Sequence, residues 1–249
     1  MVTTLAGSKT LPVSTDASPE GVTGRNQPAE YAQWGSVAVN QLLSNVLPVP
    51  IFVENDAAAA AMGEMQFGLG QQYQSFFYVL ITMGLGGGLV IDGQYFRGAT
   101  GRSGELGLIN RRDTTGVTQQ LQNTVSLSAL YARLAAPGYR VASPRELTHL
   151  DAPAQRIVDD WMENSVDALE EVLLSINYLI NPEAILIGGR LPATLVERLA
   201  SRLNDRFRSR AATMPSVAHI RRAAMSDDRP LSGLPSCPSA TDFYRLDLH

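Results

Sequence analysis

The segment "FVENDAAAAAMGEMQFG", Phe52 to Gly68, sets an asparagine and an aspartate, Asn55 and Asp56, between an apolar run and a row of alanines. Two chemistries fit that placement. A carboxylate positioned at the end of a strand can accept the proton of an attacking hydroxyl and hold its direction. An Asp at the start of a helix can equally cap the amides of the first turn, and the local sequence taken alone favours this second reading. Another carboxylate, Glu105 in "GATGRSGELG", reads locally as an exposed loop glutamate among glycines that permit tight backbone turns. Two glycine clusters complete the set: "TMGLGGG", which contains Gly84, and "AILIGGRL", which contains Gly188 and Gly189. Backbone amides in such turns can hold an anion, although a double glycine after a strand is more often a plain turn.

The elements that must position these residues follow from apolar spacing. From Met1 to about Gln33 the chain is rich in Ser, Thr, Gly and Pro and reads as mostly loop with one short strand. Val37, Val39, Leu42, Leu43 and Val46 recur at helical spacing, and "LPVPIFVEN" predicts a buried strand leading into Asn55. A helix is expected from Asp56 to about Phe67, ended by Gly68 or Gly70. "SFFYVLITMGLGGGLVIDGQYFRG" predicts a β-meander that turns back at Asp92 and Gly93. The period over Ala152 to Ile180 predicts one or two packed helices stopped by Pro182, after which "AILIGG" reads as a buried strand and Leu191 to about Phe207 as a helix.

Composition bounds the answer. The chain has 249 residues, 45% hydrophobic and 18% charged, which suits one large or two small globular domains. The formal net charge is −4 and the arginines are dispersed apart from Arg111 with Arg112 and Arg221 with Arg222, so this chain alone is not expected to bind DNA. A single cysteine, Cys237, excludes an intrachain disulfide, and His149, His219 and His249 are too scattered for a metal motif. No apolar segment approaches the roughly 20 residues that span a bilayer. No membrane association and a cytoplasmic location are the expectations.

Three stretches, "VENDAAAAAMGE", "GLGGGLVIDGQYFRGATGRSGELG" and "INPEAILIGGRL", resemble in order and spacing the ROK family (repressor, open reading frame, kinase) over roughly residues 51 to 191. The resemblance implies an α/β fold of the actin-like ATPase (ribonuclease H-like) kind, with two lobes around a cleft. It implies a small-molecule sugar as ligand, with Asn55, Asp56 and Glu105 as its contacts and Asp56 as the catalytic base if the chain is a kinase. It places Gly84, Gly188 and Gly189 near a nucleotide, and implies a homodimer formed through the second lobe. The corresponding division is residues 1–72 for the remainder of the first lobe, 73–232 for the second lobe, and 233–249 for an atypical tail.

Several positions depart from that pattern. A kinase of this family opens on a glycine-rich phosphate turn of the form "DxGGT", which does not occur in this sequence. In the second phosphate segment Thr82 stands for a glycine and Met83 for a hydroxyl residue, and a thioether cannot donate the bond a hydroxyl would. Leu108 stands where a sugar-binding histidine is usual, and "INRRDTTGVTQQLQNTVS" has neither Cys nor His, so zinc is not expected. Arg190 replaces a glycine after Gly189. A first lobe lacking its opening strands predicts an N-terminally truncated chain. The tail "LPSCPSATDFYRLDLH" has no helical period and reads as disordered or as the product of a shifted frame, since suitable codons would give the apolar "AAILPFSDRFLS" in a neighbouring frame. Three functions are then ranked. First is a carbohydrate-binding module from a sugar-responsive transcriptional regulator, without turnover. Second is a kinase for a hexose or N-acetylated amino sugar that uses ATP and Mg2+. Third is a non-functional gene remnant.

Overall fold

The hexapeptide Phe-Phe-Tyr-Val-Leu-Ile of β3 (Phe76–Ile81) is buried at every position. A strand with no solvent face must lie inside a sheet covered on both sides. The computed structural model, which describes residues 11–15, 45, 51–112, 116–210 and 217–226, places it there. β3 pairs antiparallel with β4 (Leu85–Ile91) and parallel with β8 (Ala184–Gly189). β5 (Gln94–Tyr95) extends the antiparallel side after the turn at Asp92 and Gly93, as expected, and β9 (His219–Arg222) extends the parallel side. The order is β5-β4-β3-β8-β9.

Alternation along β3 divides the core into two layers. Phe76, Tyr78 and Leu80 meet Val90, Leu186, Ala57 and Ala61 on one face, where helix α1 (Asp56–Phe67) lies. Phe77, Val79 and Ile81 join Leu89, Ile185 and Ile187 on the other. That second face is covered by the four-residue helix α2 (Gln122–Val125), α3 (Leu127–Ala135), α4 (Ala152–Ile180) and α5 (Ala193–Arg210). α4 is one uninterrupted helix of 29 residues. Its buried stripe, which includes Val158, Trp161, Met162, Ser165, Leu169, Val172 and Leu173, keeps the helical period, and Asp151 caps its start. α5 begins two residues later and ends three residues later than the sequence suggests, because Leu191 and Pro192 lie in the turn that precedes it.

α4 and α5 run side by side in a register marked by charge. Asp159 meets Arg198 at 2.6 Å, Glu163 meets Arg202, Asp167 meets Arg206 at 2.9 Å, and Glu170 meets Arg210 at 2.7 Å. The outer edge of β9 is blunted by side chains. Asn204 accepts from the Ile220 amide at 3.0 Å and donates to its carbonyl at 2.7 Å, while Asn177 accepts from the Ala218 amide. A carboxamide so placed satisfies an exposed strand edge much as another strand would.

Two smaller sheets complete the described residues. β1 (Leu11–Thr15) pairs parallel with β2 (Ile51–Asn55) and begins later than the short apolar start of the chain, which lies outside the described residues. β6 (Asn110–Arg112) and β7 (Thr118–Gln120) form a short antiparallel pair in the segment where zinc ligands would be sought, tied to α4 by Arg111 and Glu171 at 3.4 Å. The helical spacing over residues 37–46 and the tail over 233–249 lie outside the described residues, Asn45 excepted. The expected division at 72 and 73 falls just after the 3-10 turn Leu69–Gln72 and before β3.

Candidate functional site

The Asn55–Asp56 pair stands where β2 passes directly into α1. Asn55 is the cap: its backbone is extended, and its Oδ1 accepts from the amides of Ala57 at 2.8 Å and Ala58 at 3.4 Å. The capping role that the local sequence offered to Asp56 therefore belongs to its neighbour. Asp56 is the first helical residue, half-buried, and a carboxylate there is favoured by the positive end of the helix dipole. With Oδ1 of Asn55 engaged, its Nδ2 group is the donor that this residue can offer to a ligand.

Glu105 follows a loop that closes tightly upon itself. Ser103 donates its amide to the Arg97 carbonyl at 3.2 Å and its hydroxyl to the Phe96 carbonyl. Gly104, at φ +80°, lies against β4 so closely that a Cβ would come 2.2 Å from the Gly87 carbonyl oxygen. Only glycine fits on both counts, and the carboxylate that follows is fixed relative to β4. The Glu105 side chain is exposed and lies 3.6 Å from Arg102 Nε. Leu108, in the place of the usual histidine, is 43% exposed.

Three residues not singled out by the sequence, Glu54, Arg97 and Tyr95, connect these segments. Glu54, next to Asn55 and only 8% exposed, meets Arg97 at 2.7 Å. Burial raises its carboxyl above the ordinary glutamate range, opposed by the Arg97 charge and the Asn55 amide. Tyr95 approaches Ser103 at 3.5 Å; burial raises its hydroxyl, and Glu54, Arg97 and Glu105 all act on it electrostatically. Glu54 and Glu105 both act on the Tyr95 hydroxyl, and Asn55 and Asp56 follow Glu54 in the chain. The available signal was a charged residue inside the otherwise apolar "IFVEN".

The glycine turns sit at the carboxyl ends of β3 and β8, where Ile81 pairs with both Leu85 and Gly189. Open α/β sheets bind ligands at such ends. The local geometry consumes the donors instead. Within the 82–84 turn the Thr82 amide donates to the Gly84 carbonyl at 3.0 Å, and the Gly84 amide to Thr82 Oγ1 at 3.4 Å. The Thr82 carbonyl accepts from the Leu127 amide at 2.9 Å, the Met83 carbonyl from the Ser128 hydroxyl, and the Met83 side chain is exposed at the tip. Gly188 and Gly189 answer to packing: a Cβ at Gly188 would strike the Tyr78 hydroxyl, and Gly189 at φ +122° lies against the Ile81 carbonyl, which accepts from the Arg190 amide at 2.8 Å.

A cavity of about 710 Å³ lies elsewhere, between α5 and β9, and none of the sequence-predicted residues lines it. Among the described residues no group of three or more His, Cys, Asp or Glu gathers as a metal site. No helix among them is long and apolar enough to cross a membrane.

Comparison with known proteins places this geometry. The sequence pattern of the ROK family matches residues 24–236. The chain belongs to the ROK family. It is 27% identical over 201 residues to a xylose repressor of Caldicellulosiruptor bescii, covering 72% of this chain and 50% of that protein. It is 28% identical over 143 residues to the bifunctional enzyme NanE/NanK of Brucella melitensis biotype 1, covering 57% of this chain and 27% of that one. Among solved structures it is similar to a ROK hexokinase from Thermus thermophilus, with TM-score 0.58 and 25% identity over 77% of this chain and 65% of that chain. The fold is the actin-like ATPase fold of ROK sugar kinases. The chain spans about half or less of the length of the curated relatives it matches, which include both repressors and enzymes.

Proposed function

We propose that this chain is the carbohydrate-binding unit of a sugar-responsive ROK regulator and does not turn over ATP. The observation that carries this reading is the 82–84 turn, whose Thr82 and Gly84 amides are spent within the turn and whose tip carries a thioether. A phosphate cradle needs convergent free amides and hydroxyl donors, and this turn does not fit one. Asp56 and Glu105 act in this reading as acceptors for sugar hydroxyls, each carboxylate able to take two, and Asn55 donates through Nδ2. The likeness to a xylose repressor supports it.

A kinase is the second reading, favoured by the placement of Gly84, Gly188 and Gly189 at one end of the sheet and by the likeness to a hexokinase. Asp56 would then serve as base toward a hydroxyl of a hexose or N-acetylated amino sugar. Thermal unfolding in the presence of xylose, glucose and N-acetylmannosamine, each with and without Mg-ATP, separates the readings. A bound sugar at 100 times its Kd stabilises by about 2.7 kcal/mol, enough for a clear rise in Tm. The expected result is stabilisation by a sugar, none by Mg-ATP, and no ADP formed. Stabilisation by both ligands with ADP release establishes the kinase, and silence toward every ligand removes both readings.

A further inference from the structure

We propose that Glu54 and Arg97 form a latch that sets the position of the Asn55–Asp56 pair relative to Glu105, and so act as positioning residues for the sugar ligand. The inference rests on the carbohydrate-binding reading given above. It starts from where the pair sits. Glu54 belongs to β2, in the small parallel sheet with β1, whereas Arg97 follows β5 at the edge of the five-stranded sheet. Their contact at 2.7 Å joins two sheets that share no strand pairing among the described residues.

Each end of the latch is rigidly connected to a proposed ligand contact. On one side Glu54 Oε1 accepts from the Asn55 amide at 3.2 Å, and Asn55 in turn caps α1, so the carboxylate and the start of the helix move together. On the other side the Arg97 carbonyl accepts from the Ser103 amide at 3.2 Å, which closes the loop. Gly104 is wedged against Gly87, and Glu105 comes next. Between the guanidinium and Glu105 there is therefore little slack. β5 holds the base of the loop through the Phe96 amide and the Leu89 carbonyl at 2.8 Å.

The asymmetry of exposure supports a positioning role over direct ligand contact. The Glu54 side chain is 9% exposed and that of Arg97 34% exposed, so the carboxylate has no open face to present to a sugar. A buried carboxylate without its cation is costly, and this one is held above the ordinary range by burial even with Arg97 beside it. Losing the cation leaves β2 with a reason to move its acidic end toward water, and Asn55 and Asp56 move with it.

The test is a double-mutant cycle on sugar affinity, measured by calorimetric titration of the sugar that stabilises the native protein, with Tm recorded for every variant. Arg97→Ala is expected to weaken binding about tenfold or more, since small misplacements of positioned groups cost that much. Arg97→Lys is expected to recover most of the loss. Glu54→Gln with Arg97→Ala is expected to bind no more weakly than Arg97→Ala alone, because both act through one interaction. Native-like affinity in Arg97→Ala, or losses that multiply in the double variant, overturns the latch. Where Arg97→Ala does not fold, an unchanged Kd in Glu54→Gln overturns it equally. Failure of the underlying reading looks different: the native protein itself then responds to none of xylose, glucose and N-acetylmannosamine.

Discussion

The two ends of α1 carry carboxylates with opposite surroundings. At its start Asp56 is half-buried in the first turn, beside a cap that Asn55 already provides. Two turns further on, Glu64 is fully buried, and its oxygens accept from the amides of Leu69 at 2.9 Å and of Met225. Every feature of Glu64 is accounted for by packing, because it fixes the 3-10 turn Leu69–Gln72 and the segment after β9 to the same helix. Asp56 lies in the first turn, where the helix start favours a negative charge, and the carbohydrate-binding reading makes it a ligand contact. One helix thus sets a structural carboxylate at one end against a proposed ligand contact at the other.

The largest effect expected from this contrast is at Glu64. Glu64→Ala leaves the part-buried amides of Leu69 and Met225 without an acceptor and is expected to lose about 3 kcal/mol, read as a lower urea midpoint with an unchanged m value. A loss below about 1 kcal/mol would erase the contrast. The pH dependence sharpens it. Burial raises the Glu64 carboxyl above its ordinary range, against the backbone amides and the Arg222 charge. A raised acid is favoured in its protonated form by folding, so its contribution is full below the unfolded value of about 4.3 and is lost as pH climbs through the raised value. The stability of the native protein relative to Glu64→Gln is expected to fall as pH rises across that window, measured by urea unfolding at a series of pH values.

Much of this was legible from the sequence, and what was not has a common cause. The "FFYVLI" run, the hairpin at Asp92 and Gly93 and the long amphipathic helix are local patterns, and each appears where spacing puts it. The carboxylates Asp56 and Glu105 were singled out through motifs, but the Glu54–Arg97 contact was not, because it is created by sheet topology between segments distant in the chain. The role of Gly188 was likewise hidden. A double glycine after a strand reads locally as a plain turn, and nothing local shows that the Tyr78 hydroxyl from the adjacent strand occupies the space a side chain at Gly188 would need. The cap lies one residue earlier than the local sequence suggests, since Asn and Asp are near equals at that position and only the backbone of Asn55 decides between them.

That near-equality gives the next, smaller effect. Asn55→Ala removes the cap and is expected to cost about 1 kcal/mol. Asn55→Asp keeps a capping oxygen and so should retain native stability, yet it replaces the Nδ2 donor by an acceptor and should weaken sugar binding. Thermal unfolding with and without sugar separates the two, and equal binding in Asn55→Asp removes the residue from the ligand contacts.

The smallest stability effect is expected at Asp56, where it matters most. Asp56→Asn is nearly isosteric, and the attraction between a negative charge and the helix start that it forfeits is about 0.5 kcal/mol. Its Tm without ligand should therefore lie close to that of the native protein, while the rise in Tm produced by sugar should disappear, because a carboxamide offers one acceptor oxygen where the carboxylate offers two. A variant that loses stability as Glu64→Ala does, and keeps its sugar response, would make Asp56 a second structural carboxylate and leave the two ends of α1 alike. A variant that is stable and unresponsive assigns the start of the helix to the ligand and its third turn to the fold.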